Sequence, residues 1–183
     1  MDCYQTLLSR RTIHDFRPDP IPEAALLRAL EAAIRAPNHK LTNPWRFTRM
    51  GPAVRHEIVA LAVALKSQTR ALSPPAEAGL RAKLSSAPEL LAVSQRLDAD
   101  LARRHEDYAS VSCAIENLML ALWSEGIGSK WSTGAVTTHP STYGLLGIDE
   151  AKEEIVGFVW IGFALNIPST PRLELDAVYR QTL

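Results

Sequence analysis

The sequence is poor in cysteine: Cys3 and Cys113 are the two it has, and they lie far apart. No paired spacing of the zinc or redox kind is present, and no disulfide framework can be built from two residues. The five histidines, at positions 14, 39, 56, 105 and 139, also lack the close pair that metal sites use. Charge of neither sign is in excess, since 20 Lys and Arg balance 20 Asp and Glu. That removes the bulk-charge argument for a nucleic-acid or anionic-membrane binder, while leaving room for a local basic patch. Long hydrophobic runs are missing too. The two strongest, residues 118–123 and 155–164, fall well short of the roughly 20 residues that span a bilayer. Met1 to Gln5 shows no basic end followed by an apolar stretch, so no signal peptide is expected, and the cytoplasm is the expected compartment.

Several reaction-bearing motifs are absent as well. Gly126-Ile127-Gly128 resembles the start of a dinucleotide fingerprint, but Trp131 stands in the third glycine's place and a helix precedes it. Neither Ser129 nor Ser132 has glycines two residues away on both sides, as a nucleophile elbow requires. No phosphate-binding loop of the nucleotide-hydrolase type occurs. If the chain is an enzyme, a bound cofactor is expected to supply the reactivity.

What is present fits one α+β or α/β domain over residues 1–183. Tyr4, Leu7 and Leu8 have helical spacing over residues 2–9, and a second helix begins at Pro22 with Leu26, Leu27, Leu30, Ala33 and Ile34. Pro37 stops that helix. A polar loop, Asn38 to Pro44, leads into an alternating strand at 45–50. A third helix carries Val54, Ile58, Leu61, Ala62 and Leu65 on one face, and residues 66–86 read as a helical excursion over the domain. A strand is expected at 90–94, and the longest helix at about 105–125. That helix's 118–123 segment is apolar all round and must be covered on all sides, by its own domain or by a partner subunit. A short strand follows at 130–132. The continuous β-rich run 155–162 predicts a central strand buried on both faces. The last 18 residues have prolines and no helical period, so they need something to lie on.

Three polar clusters stand out against apolar surroundings. Ser9-Arg10-Arg11-Thr12 offers two guanidinium forks and a hydroxyl at a helix end, a combination suited to phosphate; by spacing alone it is equally an ordinary solvated charge pair. Arg35-Ala36-Pro37-Asn38-His39-Lys40 places three cationic groups where a helix dipole favours them in any protein. Lys130-Trp131-Ser132-Thr133-Gly134 can hydrogen-bond a planar heterocycle, or be a plain turn.

Taken jointly and in this order, with Asn43-Pro44-Trp45 opening a strand and a long apolar helix running into Gly-Ile-Gly and Lys-Trp-Ser-Thr-Gly, the clusters resemble the nitroreductase-like flavoprotein family. Within it the chain is similar to the short, single-domain YdjA-type branch of NAD(P)H nitroreductases. The resemblance runs from about Tyr4 to Gly162 and is most specific over 7–47 and 108–134. It implies a mostly antiparallel central sheet flanked by helices, and an intertwined homodimer with FMN at the subunit interface. It further implies that Arg10, Arg11 and Thr12 grip the flavin phosphate and ribityl chain. Arg35 and His39 then lie near the flavin, His39 from the opposite subunit. Trp131, Ser132 and Thr133 run beside the isoalloxazine, with a backbone N–H near Gly134 facing its N5. NAD(P)H as electron donor is assigned to Ala121, Leu122, Trp123, Ser124, Glu125 and Gly126. Tail residues of larger relatives add phosphate contacts, which makes Arg172 a candidate that no alignment fixes. No side chain acts as nucleophile; hydride passes through flavin N5, ping-pong fashion, to a nitroaromatic, quinone or similar small-molecule acceptor. His39-Lys40, where larger relatives carry small polar residues, places two groups able to carry positive charge near the flavin, which would favour an anionic or quinone-like acceptor and leaves the substrate itself open. Two alternatives remain at this point: a flavin-dependent dehydrogenase or dehalogenase of the same fold, and a non-catalytic helical dimeric binding module.

Overall fold

Capping residues decide where the helices begin. In the computed structural model, which describes residues 2–182, Asp2 accepts the N–H of Gln5 at 2.8 Å and starts α1 (Cys3–Ser9). α2 (Glu23–Ala33) begins directly after Pro22, and α3 (Pro52–Thr69) has proline in its first turn, where a missing N–H costs nothing. α4 (Pro74–Ser85) follows the Ser73-Pro74-Pro75 break. Asp100 caps α5 (Leu101–Ser124) through the N–H of Ala102 at 2.9 Å.

Four strands, β1 (Trp45–Arg49), β2 (Glu89–Arg96), β3 (Gly128–Ser132) and β4 (Glu153–Gly162), form one sheet in the order β1-β2-β4-β3, every pairing antiparallel. β4 is central and continuously buried from Ile155 to Gly162, as its unbroken apolar run predicts. The chain is built in three layers. On one face α2 and α5 pack over Leu91, Val93, Val159 and Ile161. On the other, α3, α6 (Ala135–Thr138) and α7 (Pro140–Leu146) cover Leu90, Ala92, Phe158 and Trp160.

Three features sharpen or extend the sequence reading. The excursion at 66–86 is two helices meeting at a proline break: α3 continues to Thr69, and α4, with no buried residue, lies along α3. α6 and α7 were not expected; His139 Nδ1 caps α7 through the N–H of Ser141 and Gly147 ends it in the left-handed region. The apolar segment 118–123 does not wait for a partner. Leu118, Met119, Leu122 and Trp123 are buried by α2, the sheet and α1, and Leu120 and Ala121 are half-buried.

Among the described residues no helix is long and apolar enough to cross a membrane. Apolar side chains nonetheless remain outside. Tyr4, Leu7 and Leu8 on α1, Leu27 and Ile34 on α2, and Leu165, Ile167, Leu173, Leu175, Val178 and Tyr179 in the tail are all largely exposed. α5 keeps an open stripe at helical spacing: Ala102, His105, Glu106, Ala109 and Cys113 are exposed and Glu116 half-buried.

Candidate functional site

The chain leaving α1 lies alongside β3. Thr12 bridges Ser129 in parallel and the N–H of Ile13 donates to the Ser129 carbonyl at 3.0 Å. A Cβ on Gly128 would fall 2.6 Å from Cγ1 of the fully buried Ile13, so glycine is what permits this approach. The local consequence is that Arg10, Arg11 and Thr12 stand at the start of β3.

Their guanidinium groups are under-satisfied. Arg10 Nε pairs with Glu116 Oε1 of α5 at 3.2 Å, but its Nη1 is buried with no hydrogen-bond partner among the described residues. Arg11 Nη1 donates only to the backbone carbonyls of Leu8 and Arg10, at 2.9 Å each. A third cation joins from the tail: Arg172 Nη2 donates to the Arg10 carbonyl at 3.4 Å. Among the described residues, Arg10 alone of the three guanidinium groups meets a carboxylate. Because a buried donor without an acceptor is costly, the arrangement suits an anion that would satisfy all three.

At the far end of β3, four residues or about 13 Å from Ser129, lies the second cluster. Trp131 stacks its indole edge against Gly157 of β4, where any Cβ would collide with the ring and with the Ser132 carbonyl. Its Nε1 is buried and unpartnered. Ser132 Oγ accepts from Trp160 Nε1 at 2.8 Å. Thr133 and Gly134 are exposed on a cleft of about 320 Å³ whose opposite wall is the C-terminal end of α3, with Leu65, Lys66 and Thr69. It is therefore α3, and not α4, that borders this cleft. Lys130 pairs with Trp160 across the sheet, its ammonium 5.7 Å from that ring's centroid. Burial, and secondarily Lys83, hold its pKa below the ordinary value, against a smaller opposing pull from Asp15.

Arg10, Arg11, Thr12, Trp131, Ser132 and Thr133 are therefore brought to one sheet edge. Arg35 and His39 are not. His39 is exposed, with Nδ1 2.9 Å from Glu106 Oε2. Glu106 lies ten residues, or about 15 Å, along α5 from the Glu116 that holds Arg10. Arg35 is exposed between Ala32, whose carbonyl accepts from Asn117, and Asn38, whose amide donates to Ser110. The 121–126 segment has other occupations. Leu122 is core, Trp123 Nε1 donates to Ser9 Oγ at 2.9 Å, and Glu125 forms a two-point pair with Arg28 at 2.9 and 2.6 Å. Ser124 Oγ donates to the Ala121 carbonyl, and Gly126 turns the chain at φ 78°.

Sequence reasoning left Arg172 unplaced and passed over Glu116, Asp107 and Thr42. An arginine directly after Pro171 in the proline-bearing tail was the signal for the first. The others are ordinary surface-type residues until the fold pairs them.

The chain is thus a three-layer α+β sandwich with an anion-suited arginine cluster at one edge of its sheet. Residues 7–163 match the nitroreductase family, and the chain belongs to it. It is 28% identical over 166 residues to YfhC of Bacillus subtilis, covering 90% of this chain and 85% of that one. To YdjA of Escherichia coli K12 it is 29% identical over 167 residues, 88% of each. Both relatives carry names that assign them by inference as NAD(P)H nitroreductases. The fold also superposes on the FMN- and NADPH-dependent nitroreductase NfnB of Sphigopyxis sp. strain HMH, with a TM-score of 0.80 over 100% of this chain and 99% of that one, at 19% identity.

Proposed function

We propose that the protein is an FMN-dependent NAD(P)H oxidoreductase that reduces nitroaromatic, quinone or similar acceptors at one shared site. The observation that carries this reading is the buried, unpartnered Nη1 of Arg10 among Arg11 and Arg172. FMN fits what is present: its phosphate meets three guanidinium groups, and Thr12 adds a hydroxyl. A ligand extended along the β3 edge then reaches Thr133 and Gly134, where a planar ring finds hydroxyl and backbone donors. Once bound, FMN supplies a reversible two-electron couple between NAD(P)H and the acceptor.

The chain's own work is binding and orientation. Glu116 holds Arg10 by Nε and so leaves its outer nitrogens directed to the ligand. The indole of Trp131, fixed against Gly157, stiffens the strand end that meets the ring. Neither group exchanges a proton with the substrate; the protein sets the approach of two planar molecules and excludes water from between them.

The working unit in this reading is a homodimer. Exposed apolar residues on α1, α2 and the tail supply side chains that a second subunit would cover. Two α5 helices packed antiparallel about a two-fold axis bring residues of one to the other in reciprocal pairs. An axis at position 111, midway between 106 and 116, sets Glu106 with its His39 against the other subunit's Glu116 and Arg10. The small residues Ala109, Ser112 and Cys113 flank that position and allow close approach. Arg172 stays on its own chain's Arg10 carbonyl, and the exposed Leu173, Leu175, Val178 and Tyr179 beyond it pack on the neighbouring subunit. With NAD(P)H as donor, the cytoplasm is the matching compartment.

The deciding experiment is the visible spectrum of the purified protein before and after anaerobic NADPH. Flavin bands that bleach support the reading; a protein that stays colourless after incubation with FMN rejects it. Steady-state kinetics are expected to give parallel double-reciprocal lines, and intersecting lines would remove the shared site.

A further inference from the structure

The loop 38–43 holds an unfavourable backbone although it buries almost nothing. Lys40, Leu41 and Asn43 have φ of 57°, 52° and 46°, left-handed values that non-glycine residues reach only at a cost. His39, Lys40 and Asn43 are exposed, and Leu41 is 78% exposed. A polar lock maintains the conformation from beneath. Thr42 Oγ1 donates to Asp107 Oδ1 at 2.5 Å, and Asp107 is only 4% exposed. Asn38 accepts from the N–H of Asn43 at 2.8 Å and donates to Thr42 and Ser110 at 2.9 and 3.2 Å. Asn43 donates from its side chain to the Leu41 carbonyl at 2.9 Å.

Backbone strain persists where the surroundings over-determine it, and such places cluster at ligand clamps. What this loop presents is Lys40, an ammonium with no carboxylate or hydrogen-bond partner among the described residues. In the dimer proposed above, the loop of one subunit faces the β3 edge of the other, along which a flavin would extend from the anion site towards Thr133 and Gly134. The flavin's single phosphate is already matched there by Arg10, Arg11 and Arg172, so Lys40 is surplus to the cofactor. A dinucleotide donor carries its phosphates on a flexible chain and gains little from a lysine fixed in one place. A rigid aromatic ring with an attached carboxylate gains most, because it holds its charge and its reducible group at one fixed separation.

We propose that Lys40, positioned by Asp107 through Thr42 and Asn38, is a specificity-determining residue that favours electron acceptors bearing a carboxylate or comparable anionic group. The inference rests on the flavoenzyme and dimer reading. The reaction balances as a nitro group plus NAD(P)H and one proton giving a nitroso group, NAD(P)⁺ and water.

The test uses the holoenzyme with 4-nitrobenzoate and 4-nitrobenzyl alcohol, which share the reducible group and differ in charge. Lys40→Gln is expected to lower the ratio of their kcat/KM values (anion over alcohol) by about tenfold, the scale of one charge-assisted hydrogen bond. The loss is expected in KM for the anion, with partial recovery in Lys40→Arg. Asp107→Asn should shift the ratio in the same direction. Leu41→Gly should raise thermal stability, because glycine takes the left-handed region freely, and still lower the ratio. Benzoate, which carries the charge and nothing to reduce, gives a readout without turnover: its Kd, followed by the perturbation of the flavin bands, should rise in Lys40→Gln. An unchanged ratio in Lys40→Gln, or a rise in KM for the dinucleotide alone, overturns the inference. Failure of the wild type to reduce either acceptor overturns it together with the reading it rests on.

Discussion

The two halves of α5 hold loops of opposite character. At its N-terminal half, Asp107 and Ser110 clamp the 38–43 loop by accepting hydrogen bonds from Thr42 and Asn38. At its C-terminal half, Glu116 meets Arg10 through one nitrogen and leaves Nη1 buried and unmatched, with Arg11 and Arg172 resting on carbonyls. The first end is complete in its own polar bonds yet strained in its backbone; the second is relaxed in its backbone yet incomplete in its bonds. The difference shows how one helix can serve two purposes. Satisfied polar networks fix geometry, whereas unsatisfied cations provide affinity for something outside the chain.

Replacing Arg10 and Arg11 together by alanine tests this contrast most severely. Two charge-assisted hydrogen bonds are lost, so the Kd for FMN in a fluorescence titration should rise by about a hundredfold or more. Dimerisation by sedimentation should persist, and unchanged flavin affinity would sink the phosphate role. Asp107→Ala attacks the other end. It removes a buried carboxylate and strands Thr42, and should cost about 2 kcal/mol in urea unfolding, with FMN affinity moving far less. If both variants lose flavin equally, the two ends are not separable.

Glu116→Gln is gentler. The amide still accepts from Arg10 but carries no charge, so FMN affinity should fall by only a few-fold, consistent with orientation as the residue's task. A gain in affinity would show that the carboxylate competes with the ligand instead. The smallest change is expected at Lys130, which lies on neither end. Its pKa is depressed by burial, so the folded state disfavours the charged form. The penalty is therefore full below the folded pKa and is relieved as pH rises towards the ordinary value of 10.5. Lys130→Met should stabilise the protein slightly at neutral pH in thermal unfolding, and that gain should fade at alkaline pH. A gain that grows with pH would contradict the sign.

Much of the scaffold is legible in local pattern. Helical spacing marks α1, α2 and α5, proline marks the starts of α2 and α3, and the unbroken run at 155–162 marks the central strand. Such signals reside in residues a few positions apart, and burial of one face or both is what they report. α6 and α7 escape that reading because four- and seven-residue helices have too few turns to show a period. The arginine motif is equally local, and its resemblance to a family named its neighbours in advance.

By itself, then, the sequence determined the elements, the sheet's buried centre and the residues able to hold an anion. The tertiary structure decided which of those residues meet. Arg10 and Glu116 are 106 positions apart, Thr42 and Asp107 are 65, and Arg172 reaches Arg10 across 162. No propensity or spacing encodes such pairs, because they exist only once the layers have packed and closed those distances. The same packing set Arg10 and His39 on two carboxylates of α5, Glu116 and Glu106, that lie ten residues or about 15 Å apart along the helix.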